Sequence, residues 1–165
     1  MIIVRPAQCA DADALLALID ALADYEKLER PTLEARARLV RDGFDLAVPR
    51  FSVLMAHDEE GRAVAYSIFF ETYSSFLAKP TLYIEDIFVR PDARRQGAGD
   101  ALFRELCAEA ARRDCGRMEW MCLNWNELAA GFYEKRGGGV LDEWRYYRLT
   151  ESEFQRASGN GGASS

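Results

Sequence analysis

One short segment, Arg94-Arg-Gln-Gly-Ala-Gly99, restricts the fold more than any other, because it stands between a strand pattern and a helix pattern. Before it, Leu82–Val89 reads as a strand that ends at Arg90-Pro91-Asp92. After it, a helix of about Asp100–Arg113 places Leu102, Leu106 and Ala110 on one side. Cys115-Gly116 ends that helix, and Met118–Leu123 returns as a strand. A strand, a helix of this length and a second strand require parallel pairing through a right-handed crossover. The fold class is therefore α/β, one domain with a mixed central β-sheet flanked by helices.

The remaining pattern fits around this unit. Ile2–Arg5 is a short strand closed by Pro6. Asp11 or Asp13 can cap a helix carrying Leu15, Leu18, Ile19 and Leu22. Thr32 opens a second helix with Leu33, Leu39 and Val40, and Gly43 is its expected stop. Phe51–His57 and Ala63–Glu71 form a hairpin through Asp58-Glu-Glu-Gly61. Glu127–Arg136 is a short helix stopped by Gly137-Gly-Gly139, and Val140–Leu149 is expected as a last strand. The domain is placed at residues 1–150, with 151–165 as a flexible C-terminal extension. Its Gly/Ser-rich end, Ser158–Ser165, has no large apolar residue.

Charge narrows the function. With 165 residues and a formal net charge of −6, a dedicated nucleic-acid surface is not expected. Apolar stretches such as Ala63–Phe70 are too short to cross a bilayer. The start has no basic n-region, so export is not expected either. Cys9, Cys107, Cys115 and Cys122 match no zinc spacing, and no metal site is expected. Three of them fall in segments that read as buried helix or strand. A reduced, cytoplasmic protein is the simplest reading. His57, the one histidine, reads as a solvated residue at a strand end.

Against this acidic background Arg90, Arg94 and Arg95 reverse the local sign. A helix start leaves backbone N–H groups unpaired, and Gly97 and Gly99 let a phosphate come close. The segment thus suits a polyphosphate. A dinucleotide fingerprint would need a glycine where Leu102 stands, and a P-loop would need Gly-Lys-Ser/Thr, so both fail.

The segment does match the Arg/Gln-x-x-Gly-x-Gly/Ala loop of the GNAT N-acetyltransferases, and about residues 2–149 resemble that family. Within it the chain is similar to the diamine acetyltransferases of the spermidine/spermine and thialysine type. The resemblance is carried by Arg5-Pro-Ala, Asp24-Tyr-Glu26, Asp42-Gly-Phe44, Leu82-Tyr-Ile-Glu-Asp-Ile-Phe-Val89, the glycine loop, Trp125-Asn-Glu127 and Phe132-Tyr-Glu-Lys-Arg-Gly137. It implies that acetyl-CoA lies in an opening between the two central parallel strands. Backbone groups of Ile87, Phe88 and Val89 would pair with the pantetheine arm. Arg94, Arg95, Gln96, Gly97, Ala98, Gly99 and Asp100 would hold the pyrophosphate, although a carboxylate at 100 costs Coulomb energy beside phosphates. Asn126, Glu127, Leu128 and Ala129 would complete the cofactor site, with Asn126 equally suited to cap its helix.

The same resemblance assigns the chemistry. Tyr133 would be the general acid that protonates the departing thiolate. Glu85 would take the proton of the substrate ammonium. Glu85 and Asp86 are adjacent on a strand, so their side chains are expected on opposite faces. Tyr25, Glu26, Glu85, Asp86, Glu119, Trp120, Met121 and, more loosely, Glu143 would contact the amine. Trp144 reads as core or dimer packing. Ser74 follows Tyr73 where the polyamine enzyme carries an acidic residue, which favours a lysine, thialysine or short-diamine acceptor over long polyamines. A homodimer is implied, with the last strand near the interface. A protein-lysine or N-terminal acetyltransferase and a non-catalytic acyl-CoA-binding module are the competing readings. Retention of Tyr133 and Glu85 argues against the module.

Overall fold

Five strands in sequence order build the sheet that carries the glycine loop: β1 (Ile3–Pro6), β2 (Ser52–His57), β3 (Ala63–Ser74), β4 (Lys79–Val89) and β5 (Arg117–Trp120). The computed structural model describes residues 1–159. They fall into two compact units, one of residues 1–121 and one from residue 122 onward. In the first, β1 to β4 pair antiparallel, and β4 pairs with β5 in parallel. Helix α3 (Ala98–Arg112) makes the expected crossover.

Alternation in the strands gives each face its own helix. On one side α1 (Ala12–Glu26) sets Leu15 and Leu18 against Val53, Met55, Tyr66, Ile68 and Phe88. On the other, α3 buries Ala98, Leu102, Phe103, Leu106 and Ala110 along one stripe. The fully buried Leu82 and Ile84 of β4 lie on that second face. Burying each such leucine or isoleucine is worth about 1.5–3 kcal/mol. The strand that leads into the glycine loop is therefore held from both sides.

Several local expectations need correction. Asp11 stands at the N-cap position of α1, but its carboxylate turns back to Arg5 (2.7 and 2.8 Å) and the Gln8 backbone N–H (2.7 Å). Those donors, Arg5 foremost, hold it down to about 2. His57 joins this group, with Nε2 3.4 Å from an Arg5 nitrogen and its side chain only 12% exposed, so it is not solvated. Helix α2 (Leu33–Val40) is capped by Thr32, whose Oγ1 accepts from the Ala35 N–H at 3.2 Å. It does not stop at Gly43, because a π-helical turn runs on through Arg41–Asp45. The glycine serves close approach instead: a Cβ there would stand 2.8 Å from the Phe51 ring. β5 ends at Trp120 rather than Leu123. All four cysteines are free; Cys9, Cys107 and Cys122 are exposed and Cys115 is half-buried. Cys107 lies off the α3 stripe that faces the sheet, which is why its apolar neighbours misled.

The second unit contains α4 (Glu127–Glu134) and α5 (Glu151–Ala157). No strand forms over 140–149, where Val140, Trp144, Tyr147 and Leu149 are exposed. A strand pattern becomes a strand only where a neighbour pairs with its backbone, and among the described residues nothing pairs there. The extension expected to be loose from residue 151 begins with a helix. Its cause was legible: Thr150-Glu-Ser-Glu153 is a capping box, with the Thr150 N–H and hydroxyl donating to Glu153 at 2.6 and 2.7 Å. Residues 160–165 of the expected tail lie outside the described residues.

Candidate active site

The parallel pairing is short. β5 pairs with β4 only over Thr81–Ile84, while β4 continues to Val89 with no strand on that side among the described residues. Ile87, Phe88 and Val89 thus lie beyond the last β5 partner. A 3-10 turn over Pro91–Ala93 then lifts the chain into the glycine loop.

Two residues there have left-handed backbone, Arg95 (φ +61°) and Gly97 (φ +88°). Gly97 is the N-cap of α3 and has no side chain with which to cap it. A Cβ at Gly97 would meet nothing within 4 Å, so glycine provides conformation and an open approach rather than clearance from a neighbour. Alternating backbone of this kind turns successive N–H groups toward one side, which favours an anion.

The arginines are not equivalent. Arg90 is neutralised by Asp92, with contacts of 3.0 and 2.8 Å. Arg94 donates through Nε to the Val89 carbonyl (3.2 Å), and its guanidinium lies 4.7 Å above the Tyr25 ring. Arg95 is exposed, and Gln96 donates to the Asp92 carbonyl at 3.2 Å. Ala98, Gly99 and Asp100 form the first turn of α3. Asp100 is exposed at the positive end of the helix, where an anionic ligand would compete with it.

One strand turn earlier, a bulge changes the expected geometry. Ile68 faces Asp86 and Phe69 faces Ile84, so Glu85 is an extra residue in β4 without a partner. The bulge breaks the alternation that would have sent Glu85 and Asp86 to opposite faces. Glu85 is exposed, not partly buried as its assigned role suggested, and Asp86 is the more covered of the two. Asp86 accepts from the Tyr66 hydroxyl at 3.3 Å, and its backbone carbonyl accepts from Ser67 Oγ at 2.8 Å. Burial, then the negative charges of Glu85 and Glu26, push Asp86 up to about 6, against the opposing pull of the Tyr66 hydrogen bond. Desolvation raises Glu26 as well. Tyr66, fully buried beside these carboxylates, is pushed well above the ordinary phenol range and stays protonated as a donor. Tyr25, Phe88 and Tyr66 form an aromatic row, with centroids 6.5 and 6.3 Å apart. Tyr66 and the Arg94–Tyr25 contact were not singled out from sequence. A tyrosine inside an apolar strand was the one available signal for Tyr66.

The structure draws Tyr25, Glu26, Glu85 and Asp86 together but does not bring every expected residue to them. Trp120 meets Phe103 of α3 edge-on at 5.8 Å, on the opposite face of the sheet. Glu119 is paired with Arg117 at 2.9 Å, and Met121 is exposed beyond the end of β5. Ser74 is buried, pairs with Lys79 at the far end of the β3–β4 hairpin, and accepts from the Leu77 N–H at 3.2 Å.

In the second unit Asn126 caps α4, its Oδ1 accepting from the Ala129 N–H at 3.2 Å. Glu127 and Leu128 are exposed in the first turn. Tyr133 is buried, with Phe132 beside it at 5.4 Å, and Arg136 stacks on Phe132 at 3.6 Å. Glu143 is exposed. Among the described residues, no cluster of His, Cys, Asp and Glu could hold a metal ion, and no helix is long and apolar enough to cross a membrane.

Comparison with known proteins bears on the family and the fold. A model of the acetyltransferase (GNAT) family matches residues 15–138. An L-ornithine N5-acetyltransferase of Arabidopsis thaliana is 44% identical over 90 residues, 54% of this chain and 40% of that protein. The match therefore spans less than half of that relative's length. A thialysine N-epsilon-acetyltransferase of Bos taurus is 28% identical over 96% of this chain and 98% of its own. Among solved structures, an integron cassette protein of V. cholerae superposes with a TM-score of 0.80 at 19% identity, covering 95% of this chain and 97% of that one. A probable acetyltransferase gives 0.78 at 24% identity, over 91% and 98%. At these identities the structural likeness bears on the fold alone.

Proposed function

The chain belongs to the acetyltransferase (GNAT) family, and we propose that it transfers acetyl from acetyl-CoA to a primary amine of a small molecule of lysine, thialysine, ornithine or short-diamine type. The observation that carries this reading is one continuous arrangement along β4. Carboxylates without an ion pair stand at the bulge, a strand edge with no neighbour among the described residues follows, and a helix start turned by left-handed Arg95 and Gly97 comes next. Arg94 joins the two ends by lying over Tyr25, the neighbour of Glu26. Relatives named for thialysine and L-ornithine supply the acceptor class.

The residues present fit the cofactor. The amides of Arg95 to Asp100 would hold its diphosphate, and Ile87, Phe88 and Val89 would offer backbone partners to its pantetheine arm. Asn126, Glu127, Leu128 and Ala129 would contribute from the start of α4. When bound, acetyl-CoA supplies an activated thioester whose carbonyl carbon accepts the amine and whose sulfur departs. Glu26 would attract the ammonium form of the substrate. An alkylammonium with a pKa near 10, as for lysine, must lose a proton before it can attack, and the Glu85–Asp86 pair would take it. Tyr133 would give its phenolic proton to the departing sulfur.

Ser74 lies at the far end of the β3–β4 hairpin, where its hydroxyl serves a turn, so the preference for shorter acceptors rests on the relatives named for thialysine and L-ornithine. The exposed Trp144, Tyr146 and Tyr147 support a homodimer. The four free cysteines support a cytoplasmic location. Thiol release from acetyl-CoA with a panel of lysine, thialysine, ornithine, putrescine and spermine tests the reading. Turnover should favour the first four over spermine. A folded preparation that releases thiol with none of them overturns it, and acetylation of peptides alone would move the acceptor to protein.

A further inference from the structure

The carboxylates at the β4 bulge stand between two aromatic pairs on one face of the sheet. The register sets Tyr66 opposite Phe88, Ile68 opposite Asp86 and Phe70 opposite Tyr83, and residues two apart on β3 share a face. Because Glu85 is the extra residue, Asp86 and Tyr83 keep the same face across the bulge. The upper pair belongs to the core: Tyr66 is fully buried, and both rings lie in the cluster that α1 covers. The lower pair does not. Phe70 and Tyr83 are half-buried and outside that cluster, with ring centres 5.3 Å apart and planes tilted by 39°. The opposite face at this level is closed, since Phe69 and Glu71 both meet Arg113, the C-cap of α3.

Charge sorts what such a shelf can hold. Glu119, the β5 residue in register with Tyr83, is paired with Arg117 at 2.9 Å, and the exposed Thr72 beyond Phe70 carries no charge. The carboxylate beside Tyr83 is thus already neutralised, so a second ammonium gains little there. A flat apolar arm gains ring contact and leaves water. From this placement, and resting on the acetyl transfer argued above, we propose that Phe70 and Tyr83 are a specificity-determining shelf for the acceptor's arm, and that the protein also acetylates arylalkyl primary amines whose ring lies on it. The nitrogen stands at the carboxylates, and the shelf begins one cross-strand pair further along, about 7 Å away, which a linker of about three or four methylenes spans. The transfer itself is unchanged. The amine nitrogen bonds the acetyl carbonyl carbon, the carbon–sulfur bond breaks, and the proton lost from nitrogen is balanced by the one that the departing thiolate gains.

The experiment measures kcat/KM by thiol release from acetyl-CoA for butylamine, phenylbutylamine and ornithine, in wild type, Phe70→Ala and Phe70→Leu. Wild type should prefer phenylbutylamine to butylamine by about tenfold, carried mainly by KM. In Phe70→Ala that preference should fall to about twofold or less. Phe70→Leu keeps apolar bulk without the ring, and its preference should fall about threefold; it decides should Phe70→Ala fail to fold. Wild type that turns over ornithine yet shows no preference for the aryl amine overturns the inference and leaves the acetyl-transfer reading standing. An unchanged preference in a folded Phe70 variant does the same, as does an equal loss with phenylbutylamine, butylamine and ornithine alike. Wild type that releases thiol with none of the three refutes the acetyl-transfer reading itself, and this inference with it.

Discussion

Replacing Gly97 by alanine isolates what the glycine loop contributes. Gly97 has φ +88°, and a Cβ there would meet nothing within 4 Å, so the substitution brings strain without collision. Holding an L-residue in left-handed backbone costs about 1–2 kcal/mol. Part of this is offset because alanine has less freedom than glycine to lose on folding, an effect of about 0.4–1 kcal/mol. A net loss of about 1 kcal/mol is expected. Gly61, at φ +77° in the β2–β3 turn and equally open, provides the control. Urea unfolding should show similar losses for Gly61→Ala and Gly97→Ala. Calorimetry should then separate them. Coenzyme A affinity should fall about five- to tenfold in Gly97→Ala, because about 1 kcal/mol of loop strain is relieved when the amides turn away. It should be unchanged in Gly61→Ala. Equal affinity in the two variants would refute the claim that these left-handed turns aim the amides at a diphosphate.

Three further outcomes follow from the same geometry. Asp11→Asn should destabilise the fold at neutral pH, because a carboxylate held near 2 rather than 3.8 contributes about 2 kcal/mol, trimmed to about 1–2 by the solvent around Arg5. This contribution is present above pH 4 and is lost as pH falls through 2, so urea midpoints of mutant and wild type should converge in acid. Tyr133→Phe should lower kcat strongly while coenzyme A binding stays nearly intact, and near-normal turnover would remove Tyr133 from the mechanism. Gly43→Ala forces the Phe51 ring to move from a 2.8 Å contact and should cost about 1–3 kcal/mol in unfolding measurements.

How much could be read from sequence depended on where the physics was local. Apolar alternation and a turn residue locate β2 and β3, and the α3 stripe with its flanking strands requires the parallel crossover that the structure contains. The bulge at Glu85 left no such trace. A single unpaired residue in Leu82–Val89 is set by how β4 meets β3, and register is a property of two strands rather than one. That one shift decides which carboxylate is covered. The burial of His57 depended likewise on distant partners, since Arg5 and Asp11 reach it across β1 and the start of α1. Over 140–149 the fault ran the other way. A strand pattern was present, but no neighbour pairs with it among the described residues. The helix after Thr150, by contrast, had a complete capping signal.

The central claim is that residues 94–99 grip the diphosphate of coenzyme A and so bring an activated acyl group to the carboxylates of β4 and α1. Calorimetric titration of the folded chain with acetyl-CoA, and then with pantetheine, which lacks the diphosphate, tests this most directly. Saturable binding of acetyl-CoA, with pantetheine at least about tenfold weaker, a difference of about 1.4 kcal/mol, is the predicted result. Equal affinity for the two, or no binding of either, would contradict it.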